Sequence, residues 1–398
     1  MIQAEKKLGN ETVRIALIEF YVDGHHASYL NYLSIGLARC GAQVLILGPG
    51  QMVEVDAAVK CERIDGVERL LLLSGTRRQL SFFRLARKAI AEAKKWNATH
   101  IHFVYADWHL TAIAAAWLSS SCSADLVLTI HWATGAGVGS DSWINSVRRS
   151  PHRVALRWLV RTASNIFVHH KEIAAGLNYG NLKRDFDVVP YPSEPLPQIP
   201  PETRDAFRTA LGISKQDTLL LCFGGTRHDK GADLAVECLA RLPASFHLLI
   251  AGPPVHFQSS DLLLLSCKAN TESRLHLILR YIQEDEVATI FNSCDVVLLP
   301  YRRTFSGQSG PLTQGACAGR TIVSAALPVL GDTIRKFKLG QTFNPADIDG
   351  MALAIQAGAV ENAAIKTTIA FIEQHAPQEF ASKTYSALIG HKMPCSSD

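Results

Sequence analysis

Short apolar segments alternate with segments of helical periodicity along almost the whole chain of 398 residues. Apolar, β-branched segments of this kind are typical of buried strands in parallel sheets that helices cover on both faces. In the first half we expect strands at Val13–Glu19, Gln43–Leu47, Thr99–Tyr105, Asp125–His131, Asn165–His169 and Asp187–Val189. In the second half we expect them at Thr218–Phe223, His247–Ala251, Leu275–Leu279, Asp295–Pro300 and Thr321–Ser324. The pattern therefore predicts an α/β protein built on doubly wound parallel sheets.

A cluster of prolines divides this pattern into two halves. Six of the seventeen prolines fall in the segment PYPSEPLPQIPP, from Pro190 to Pro201. Proline continues neither a helix nor a central strand, and it stiffens a linker. We therefore expect one domain over residues 1–192 and a second over residues 193–372, with residues 373–398 as a C-terminal segment.

The composition excludes several classes of protein. With 47% hydrophobic and 19% charged residues the chain is too apolar for wholesale disorder, and a net charge of +4 is too small to indicate a nucleic-acid partner. No apolar run approaches the roughly eighteen residues of a membrane-spanning helix, and none fits a signal peptide. The nine cysteines include no C-x-x-C pair, which favours reduced thiols over a disulfide framework or a zinc site. We expect a cytoplasmic protein.

A glycine- and serine-rich loop follows the predicted strand that ends near Leu299. Pro311 then begins a short helix and Gly319 ends it, in agreement with the usual preference for proline at helix starts and glycine at helix ends. Glycines let the backbone approach a ligand, and free amides at a helix start favour an anion. The phosphate site predicted here comprises Ser306, Gly307, Ser309 and Gly310 of the loop and the backbone amides up to Leu312. The alternative is a plain strand-to-helix turn.

A second loop, FGGTRHDKG, follows the predicted strand over Thr218–Phe223. Gly225 belongs to a tight turn, and Arg227 and Lys230 are cations just beyond the strand end. A planar guanidinium beside an ammonium suits a diphosphate. Because ligands of open parallel sheets bind outside the carboxyl ends of the strands, we expect both loops to serve one ligand.

The first half offers its own candidates at predicted strand ends. Asp23, Gly24 and His25 follow the first strand, Asp107 follows the strand HIHFVY, and His131 ends the strand LVLTIH. The doublets His25-His26 and His169-His170 do not indicate a metal, because neighbouring side chains on a strand point to opposite faces.

These segments together resemble the retaining glycosyltransferases of family 4. CFGGTRHDKGADLAVECLARL is similar to the family's diphosphate-binding segment, EDEVATIFNSCDVVLLPYR to the stretch before its donor loop, and LTIHWATG to the segment with its active-site histidine. IHFVYADWH resembles another cleft-lining segment. The resemblance implies the GT-B fold, in which two Rossmann-like domains face each other across a cleft, and a C-terminal helix near residues 363–388 that returns to the first domain.

The resemblance also implies a mechanism. His131, Arg227 and Lys230 become the catalytic residues, and the glycine and serine residues of the two loops, with Gly24, become the donor-binding residues. Asp23, His25 and Asp107 become acceptor-side residues. A nucleotide-diphosphate sugar would donate its sugar with retention by front-face displacement, with no protein-bound metal, to a glycan or lipid-linked acceptor in polysaccharide or glycolipid synthesis.

The chain departs from the family pattern at two positions. The family usually has two glutamates separated by seven residues, and these positions are Ser306 and Gln314 here. Two alternatives therefore stay open: a non-catalytic relative that binds nucleotide or a partner subunit, and a nucleotide-sugar epimerase. A dehydrogenase is disfavoured because no G-x-G-x-x-G follows the first predicted strand.

The segment Ile144–Arg161 carries five arginines and no acidic residue, interleaved with Trp143, Val154, Trp158 and Leu159. Arg153, Arg157 and Arg161 recur at every fourth position, which places them near one helical face. This pattern predicts either a docking surface for an anionic membrane, on its cytoplasmic side, or a solvated basic helix.

Overall fold

The computed structural model of the chain describes residues 12–21, 25–50, 59–70, 72–132, 150–178, 184–360 and 365–390. Contacts within the chain divide it into two compact units. The first comprises Met1–Pro192 together with Pro377–Asp398, and the second comprises Ser193–Ala376. Residues 373–376 thus belong to the second unit, so the C-terminal segment of the first unit begins at Pro377 and not at residue 373.

The first unit is built on one parallel sheet. Its strands are β1 (Arg14–Ile18), β2 (Gln43–Gly48), β3 (Val59–Arg63), β4 (His100–Phe103), β5 (Asp125–Ile130), β6 (Asn165–Val168) and β7 (Asp187–Val188). Its helices are α1 (His25–Arg39), α2 (Gly75–Lys95), α3 (Leu110–Leu118), α4 (Ser150–Thr162) and α5 (Lys171–Leu177), with α14 (Pro377–Gly390) at the C-terminus. The strand order is β3-β2-β1-β4-β5-β6-β7, so the order reverses between β1 and β4.

The second unit repeats this design. Its strands are β8 (Thr218–Phe223), β9 (Phe246–Ala251), β10 (Leu275–Ile278), β11 (Val296–Leu299), β12 (Thr321–Ala325) and β13 (Gly340–Phe343), in the order β10-β9-β8-β11-β12-β13. Its helices are α6 (Pro201–Ala210), α7 (Ala232–Leu239), α8 (Ser259–Ala269), α9 (Glu284–Ser293), α10 (Gly310–Cys317), α11 (Pro328–Phe337), α12 (Ile348–Val360) and α13 (Ile365–His375). Here the strand order reverses between β8 and β11.

The two parallel sheets confirm the predicted α/β fold of doubly wound domains. Central strands are almost fully buried, as in β11, whose four residues are all inaccessible to solvent. Two strands were missed by the sequence analysis, β3 and β13. Both lie at a sheet edge and are only partly buried, so they lack the continuous apolar run that marks the central strands.

The C-terminal helix α14 packs against α1. Gly36 on α1 contacts the backbone of α14 so closely that a Cβ atom there would overlap Ala381. The ring of Phe380 lies 5.1 Å from that of Tyr29, between centroids. These contacts explain why the last helix belongs to the first unit.

The loops that follow β8 and β11 meet because these strands are neighbours in the sheet. Gly231, at the end of the β8 loop, has a φ of 67° and packs against the carbonyl oxygen of Pro300, directly after β11. Only glycine combines this left-handed conformation with so close a backbone approach. Gly231 therefore fixes the distance between the two loops.

We predict that Gly231→Ala destabilises the protein more than Gly212→Ala. Gly212 has a similar φ of 70° but nothing within 4 Å of an added Cβ atom, so it experiences only the left-handed strain of about 1 kcal/mol. At Gly231 the overlap with Pro300 adds a cost of about 1–3 kcal/mol. Urea unfolding of both variants measures the difference, and equal free energies of unfolding would contradict the prediction.

Candidate functional site

Lys230 lies at the carboxyl end of β8, beside a tight glycine turn. Gly224 follows Phe223 with a φ of 96°, and Lys230 ends a short 3₁₀ turn that begins at His228. A Cβ atom on Gly224 would lie 2.6 Å from the Lys230 Nζ atom, so the ammonium group packs directly against the glycine backbone. The structure thus places Lys230 where an anion outside the end of β8 would meet it.

Burial lowers the pKa of Lys230 to about 8 because it penalises the charged form. Repulsion from Arg227 acts in the same direction, and attraction to Asp229 opposes both. Lys230 is therefore still mostly protonated at pH 7. A bound anion would raise its pKa again, since an opposite charge favours the protonated form.

Arg227 is paired with an acid from its own turn. Its Nε and Nη2 atoms donate hydrogen bonds of 2.9 and 2.6 Å to the two carboxylate oxygens of Asp229. This bidentate geometry is the one that a guanidinium also offers to phosphate. A diphosphate at this site therefore has to share Arg227 with Asp229 or displace it.

The turn after β11 is closed by a helix cap. The Ser309 Oγ atom accepts a hydrogen bond of 3.3 Å from the amide of Leu312, and Pro311 occupies the first turn of α10. The Ser309 hydroxyl and the Leu312 amide thus satisfy each other. The predicted role of these two groups as direct donor contacts competes with the cap, whereas Gly310 begins the helix as expected.

The two positions where the family has glutamate, Ser306 and Gln314, are half-buried, and Gly307 between them is buried. No residue from Tyr301 to Gln314 is acidic. The Gln308 Oε1 atom is buried and has no hydrogen-bond partner within the described residues. This turn therefore presents hydroxyl and amide groups where the family resemblance implies carboxylates.

Tyr301 connects the two loops. Its ring centroid lies 6.0 Å from the Lys230 Nζ atom, and its hydroxyl lies 3.2 Å from the Ser309 Oγ atom. A pocket opens beside these residues. Its lining comprises Cys222, Phe223, Gly224, Gly225, Thr226, Lys230, Ala232, Ile250, Leu298, Pro300 and Tyr301. The structure thus brings the predicted Gly225 and Lys230 together with Tyr301, which the sequence analysis missed.

His131 lies in the first unit, directly after β5, as the sequence predicts. It is buried, its Nε2 atom lies 3.1 Å from the carbonyl oxygen of Val104, and its ring stacks on Tyr105 with centroids 4.7 Å apart. The rings of Tyr29 and His169 lie 5.1 and 4.9 Å away. His131 therefore belongs to a cluster of aromatic and imidazole rings at the carboxyl edge of the first sheet.

Asp107 holds the backbone that carries His131. Its Oδ1 atom accepts hydrogen bonds from the amides of His131 and Trp132 at 3.0 and 2.7 Å, and its Oδ2 atom lies 3.1 Å from the His131 amide. The side chain is fully buried, and this burial raises the pKa of Asp107 to about 7 despite these hydrogen bonds. Any part that Asp107 plays on the acceptor side is thus indirect, through the position of His131.

A buried acid paired with a half-buried histidine also borders the ring cluster. The Glu19 Oε1 atom accepts a hydrogen bond of 2.9 Å from the Tyr21 amide, and its Oε2 atom lies 3.4 Å from the His26 Nδ1 atom. The His26 ring lies 4.6 Å from that of Tyr105, between centroids. The sequence signal that could have identified Glu19 is an acid directly after the apolar run of β1.

Some predicted positions fall outside the described residues. These are Asp23 and Gly24, together with residues 144–149 of the basic segment; His25 begins α1, but its side chain is outside them too. Within the described ranges, no three His, Cys, Asp or Glu side chains are grouped so as to bind a metal. Every helix that the structure describes is too short or too polar to span a bilayer.

Two family models match the chain. The model of the glycosyl transferase 4-like domain matches residues 26–192, and that of the glycosyl transferases group 1 matches residues 217–358. The first match contains the His131 cluster, and the second contains both loops of the Lys230 site. The fold and these two matches agree. The fold is the GT-B fold, and each of its two domains matches a glycosyl transferase domain model.

Two curated relatives align with parts of this chain. D-inositol 3-phosphate glycosyltransferase of Rhodococcus opacus is 26% identical over 50% of the chain and 46% of its own length. The lipopolysaccharide glucosyltransferase WaaG of Escherichia coli is 26% identical over 38% of the chain and 40% of its own length. The aligned region is thus less than half of each relative.

A solved structure shares the fold over almost the entire chain. The structure of Alr3699/HepE from Anabaena, in complex with UDP and glucose, superposes with a TM-score of 0.71. It covers 95% of this chain and 100% of its own, at 14% sequence identity. At this identity the likeness concerns the fold.

We predict that Asp107 makes the stability of the protein depend on pH. Its folded-state pKa of about 7 lies above the ordinary 3.8, so the folded protein binds this proton more tightly than the unfolded chain. The contribution of Asp107 to stability is therefore full below pH 4 and is lost as the pH rises towards 7.

Asp107→Asn should remove this contribution to the change of the unfolding free energy with pH. Asp65→Asn, at an exposed side chain, should leave that change with pH intact. Chemical unfolding between pH 4 and 8 measures the slopes. The same slope in the wild type and in Asp107→Asn would contradict the assignment.

Proposed function

We propose that the chain transfers a sugar, with retention, from a nucleotide-diphosphate sugar to a glycan or lipid-linked acceptor at an anionic membrane surface, in polysaccharide or glycolipid synthesis. The observation that carries the proposal is the Lys230 ammonium group, packed on Gly224 at the carboxyl end of β8 and 6.0 Å from the Tyr301 ring. A cation fixed at this edge of a doubly wound sheet suits the diphosphate of a bound nucleotide. The Anabaena structure with UDP and glucose has the same fold, which supports this class of donor.

Lys230 and Arg227 would act on the leaving group. As the bond between the anomeric carbon and the diphosphate breaks, negative charge develops on the departing oxygen, and preorganised cations stabilise it. The lowered pKa of Lys230 means that its charge is poorly solvated in the free protein. The ammonium therefore gains more from the developing negative charge than a fully hydrated lysine would.

Retention, which the family resemblance implies, would proceed by a front-face displacement and not through a covalent intermediate on this loop. No carboxylate occurs between Tyr301 and Gln314 that could attack the anomeric carbon as a nucleophile. In a front-face displacement, the acceptor oxygen bonds to the anomeric carbon on the side that the diphosphate leaves, and the acceptor proton passes to the leaving phosphate oxygen. This route needs no enzyme nucleophile and no protein-bound metal, and it relies on the position of the acceptor oxygen beside the anomeric carbon.

A non-catalytic relative is the second candidate. Two observations favour it: Ser306 and Gln314 replace the family glutamates, and Asp229 engages the Arg227 guanidinium. An epimerase is disfavoured, because Glu19 and Asp107, the described acids at the strand ends of the ring cluster, are both buried and already bonded.

We predict that Lys230→Ala lowers the turnover of the donor by at least about 100-fold, because it removes one preorganised stabilising group from the leaving diphosphate. The matched control is Lys268→Ala, at an exposed lysine on α8 of the same unit, which should retain full activity. Transfer and hydrolysis are measured against a panel of UDP-, GDP-, ADP- and dTDP-sugars, with circular dichroism to verify the fold.

The outcomes separate the candidates. Full activity of Lys230→Ala would exclude the proposed role of this residue. Nucleotide binding by the wild type without turnover of any donor would favour the non-catalytic relative.

The membrane part of the proposal depends on three neighbouring helices of the first unit. On α4, Arg157 and Arg161 are exposed and Val154 is 63% exposed. Both α4 and α2 pack against α3, so α3 lies between them. The basic face predicted from residues 144–161 thus has a second basic helix near it.

Helix α2 is strongly basic on its exposed side. Its only acidic residue, Glu92, is paired with Lys95 at 2.7 Å. The exposed cations of α2 with no acidic partner in the described part of the chain are Arg77, Arg84, Arg87, Lys88 and Lys94, the last of which donates to the carbonyl oxygens of Ser120 and Ser121. Leu80, 51% exposed, lies among them. Cations interleaved with apolar side chains suit the interface of an anionic bilayer, where each cation contributes about 1 kcal/mol.

We predict that the triple substitution R84E/R87E/K88E weakens binding to vesicles of 70% phosphatidylcholine and 30% phosphatidylglycerol by more than about tenfold at low salt. The control R39E/K268E/R335E changes the net charge equally at exposed sites outside these helices and should bind like the wild type. Co-sedimentation measures the vesicle affinity of both variants. Equal losses of affinity in the two triple variants would indicate a nonspecific charge effect and would contradict the proposed docking surface.

A further inference from the structure

The turn that carries Lys230 cannot hold its own geometry. It is a single 3₁₀ turn of three residues, His228–Lys230, and such turns have strained hydrogen bonds and are rarely stable in isolation. The charge at its end is also partly buried. Contacts from other segments of the chain to this turn therefore determine the position of the Lys230 ammonium group.

Arg302 contacts the turn from the neighbouring loop. Its backbone amide donates a hydrogen bond of 2.8 Å to the carbonyl oxygen of Asp229, and its Nη1 atom donates one of 2.6 Å to the carbonyl oxygen of His228. Two of the three carbonyl groups of the turn are thus bonded to one residue that follows β11.

The same guanidinium is anchored on the helix that follows the turn. Its Nη1 and Nη2 atoms donate to the two carboxylate oxygens of Asp233, in the first turn of α7, at 3.0 and 2.6 Å. Both side chains are about four-fifths buried, with 20% and 22% exposed, so this pair is better shielded from water than a surface ion pair. Arg302 therefore joins the turn, the start of α7 and the β11 loop.

The β11 loop carries this restraint towards α10. The carbonyl oxygen of Arg302 accepts a hydrogen bond of 2.9 Å from the amide of Phe305, whose ring packs 4.4 Å from that of Tyr301, between centroids. Tyr301 in turn reaches the Ser309 cap. One arginine thus lies between the cationic loop and the loop of hydroxyl and amide groups.

We propose that Arg302 is a positioning residue for the donor diphosphate, which acts by fixing the Lys230 turn against the loop that leads to α10. The inference rests on the proposed function, because it assumes that Lys230 meets a diphosphate. A planar guanidinium can engage Asp233 with both of its ends and still bond to the turn, which a lysine cannot do. The identity of residue 302 therefore matters beyond its charge.

The test is Arg302→Lys, with Arg303→Lys as the matched control at the next, exposed residue. Inorganic pyrophosphate is the probe, because its binding depends neither on the nucleobase nor on turnover. Isothermal titration at pH 7 should give at least about a fivefold weaker affinity for Arg302→Lys than for the wild type, and an unchanged affinity for Arg303→Lys. Thermal unfolding verifies that each variant is folded.

The pH dependence distinguishes positioning from a general effect on stability. The groups that face Lys230 are Arg227 and Asp229 from its own turn, Cys222 from β8 and Tyr301 from the β11 loop. In the wild type, binding should weaken as the pH rises through about 8, where free Lys230 loses its proton. In Arg302→Lys, a loosened turn exposes the ammonium to water, so this midpoint should move up towards that of an ordinary lysine.

A second variant keeps the inference falsifiable if Arg302→Lys does not fold. Asp233→Asn weakens the same pair from the other side and should shift affinity and midpoint in the same directions. Unchanged affinity and midpoint in a folded variant, with only a lower melting temperature, would overturn the positioning role. If the wild type does not bind pyrophosphate, or binds it equally well as Lys230→Ala, the diphosphate site itself is wrong and both proposals fall.

Discussion

The candidate site depends on keeping one lysine charged where water has largely been removed. Packing the Lys230 ammonium on the Gly224 backbone costs hydration, and the lowered pKa of Lys230 is the measure of that cost. Three neighbouring groups hold the ammonium in place despite this loss of hydration. They are Gly224, whose φ other residues adopt with difficulty, the ring of Tyr301, and Arg302, which bonds to the adjacent backbone. All of these come from the loops after β8 and β11, which are neighbours because the strand order reverses between them.

The first unit uses the same topology for a different purpose. There the loops after β1, β4 and β5 meet where the strand order reverses and beside it, and they bring together rings and buried acids in place of the cations of the second unit. Asp107 accepts the backbone amide of His131, and Glu19 accepts that of Tyr21 with one oxygen and faces His26 with the other, so the two acids help to determine where His131 and His26 lie. The carboxyl edge of the second sheet therefore presents cations, whereas that of the first sheet presents aromatic rings and hydrogen-bonding groups.

The sequence predicts the parts of this arrangement that depend on local chemistry. Central strands are visible because they are continuously apolar, and Arg227, Lys230 and His131 are visible because each follows such a strand. Edge strands β3 and β13 are not visible, since only one residue of each is fully buried and they lack a continuous apolar run. Hydrogen bonds between residues that are distant in sequence cannot be predicted either, for a different reason. A carboxylate after a strand looks available, and only the folded chain reveals that Asp107 accepts amides 24 and 25 residues away, or that Arg302 bonds to a turn more than 70 residues earlier.

The pairing of Arg227 with Asp229 has a consequence for selectivity. In the unliganded protein the guanidinium already holds an anion with ideal bidentate geometry, tethered in its own turn. Any incoming anion competes with a carboxylate whose effective local concentration is very high, as for any intramolecular partner. A single weak charge gains little from that exchange, while a ligand with several phosphate oxygens can engage Lys230 and Arg227 together. In the proposed site, the tethered acid would thus act as an internal competitor that disfavours small monovalent anions relative to polyvalent ones.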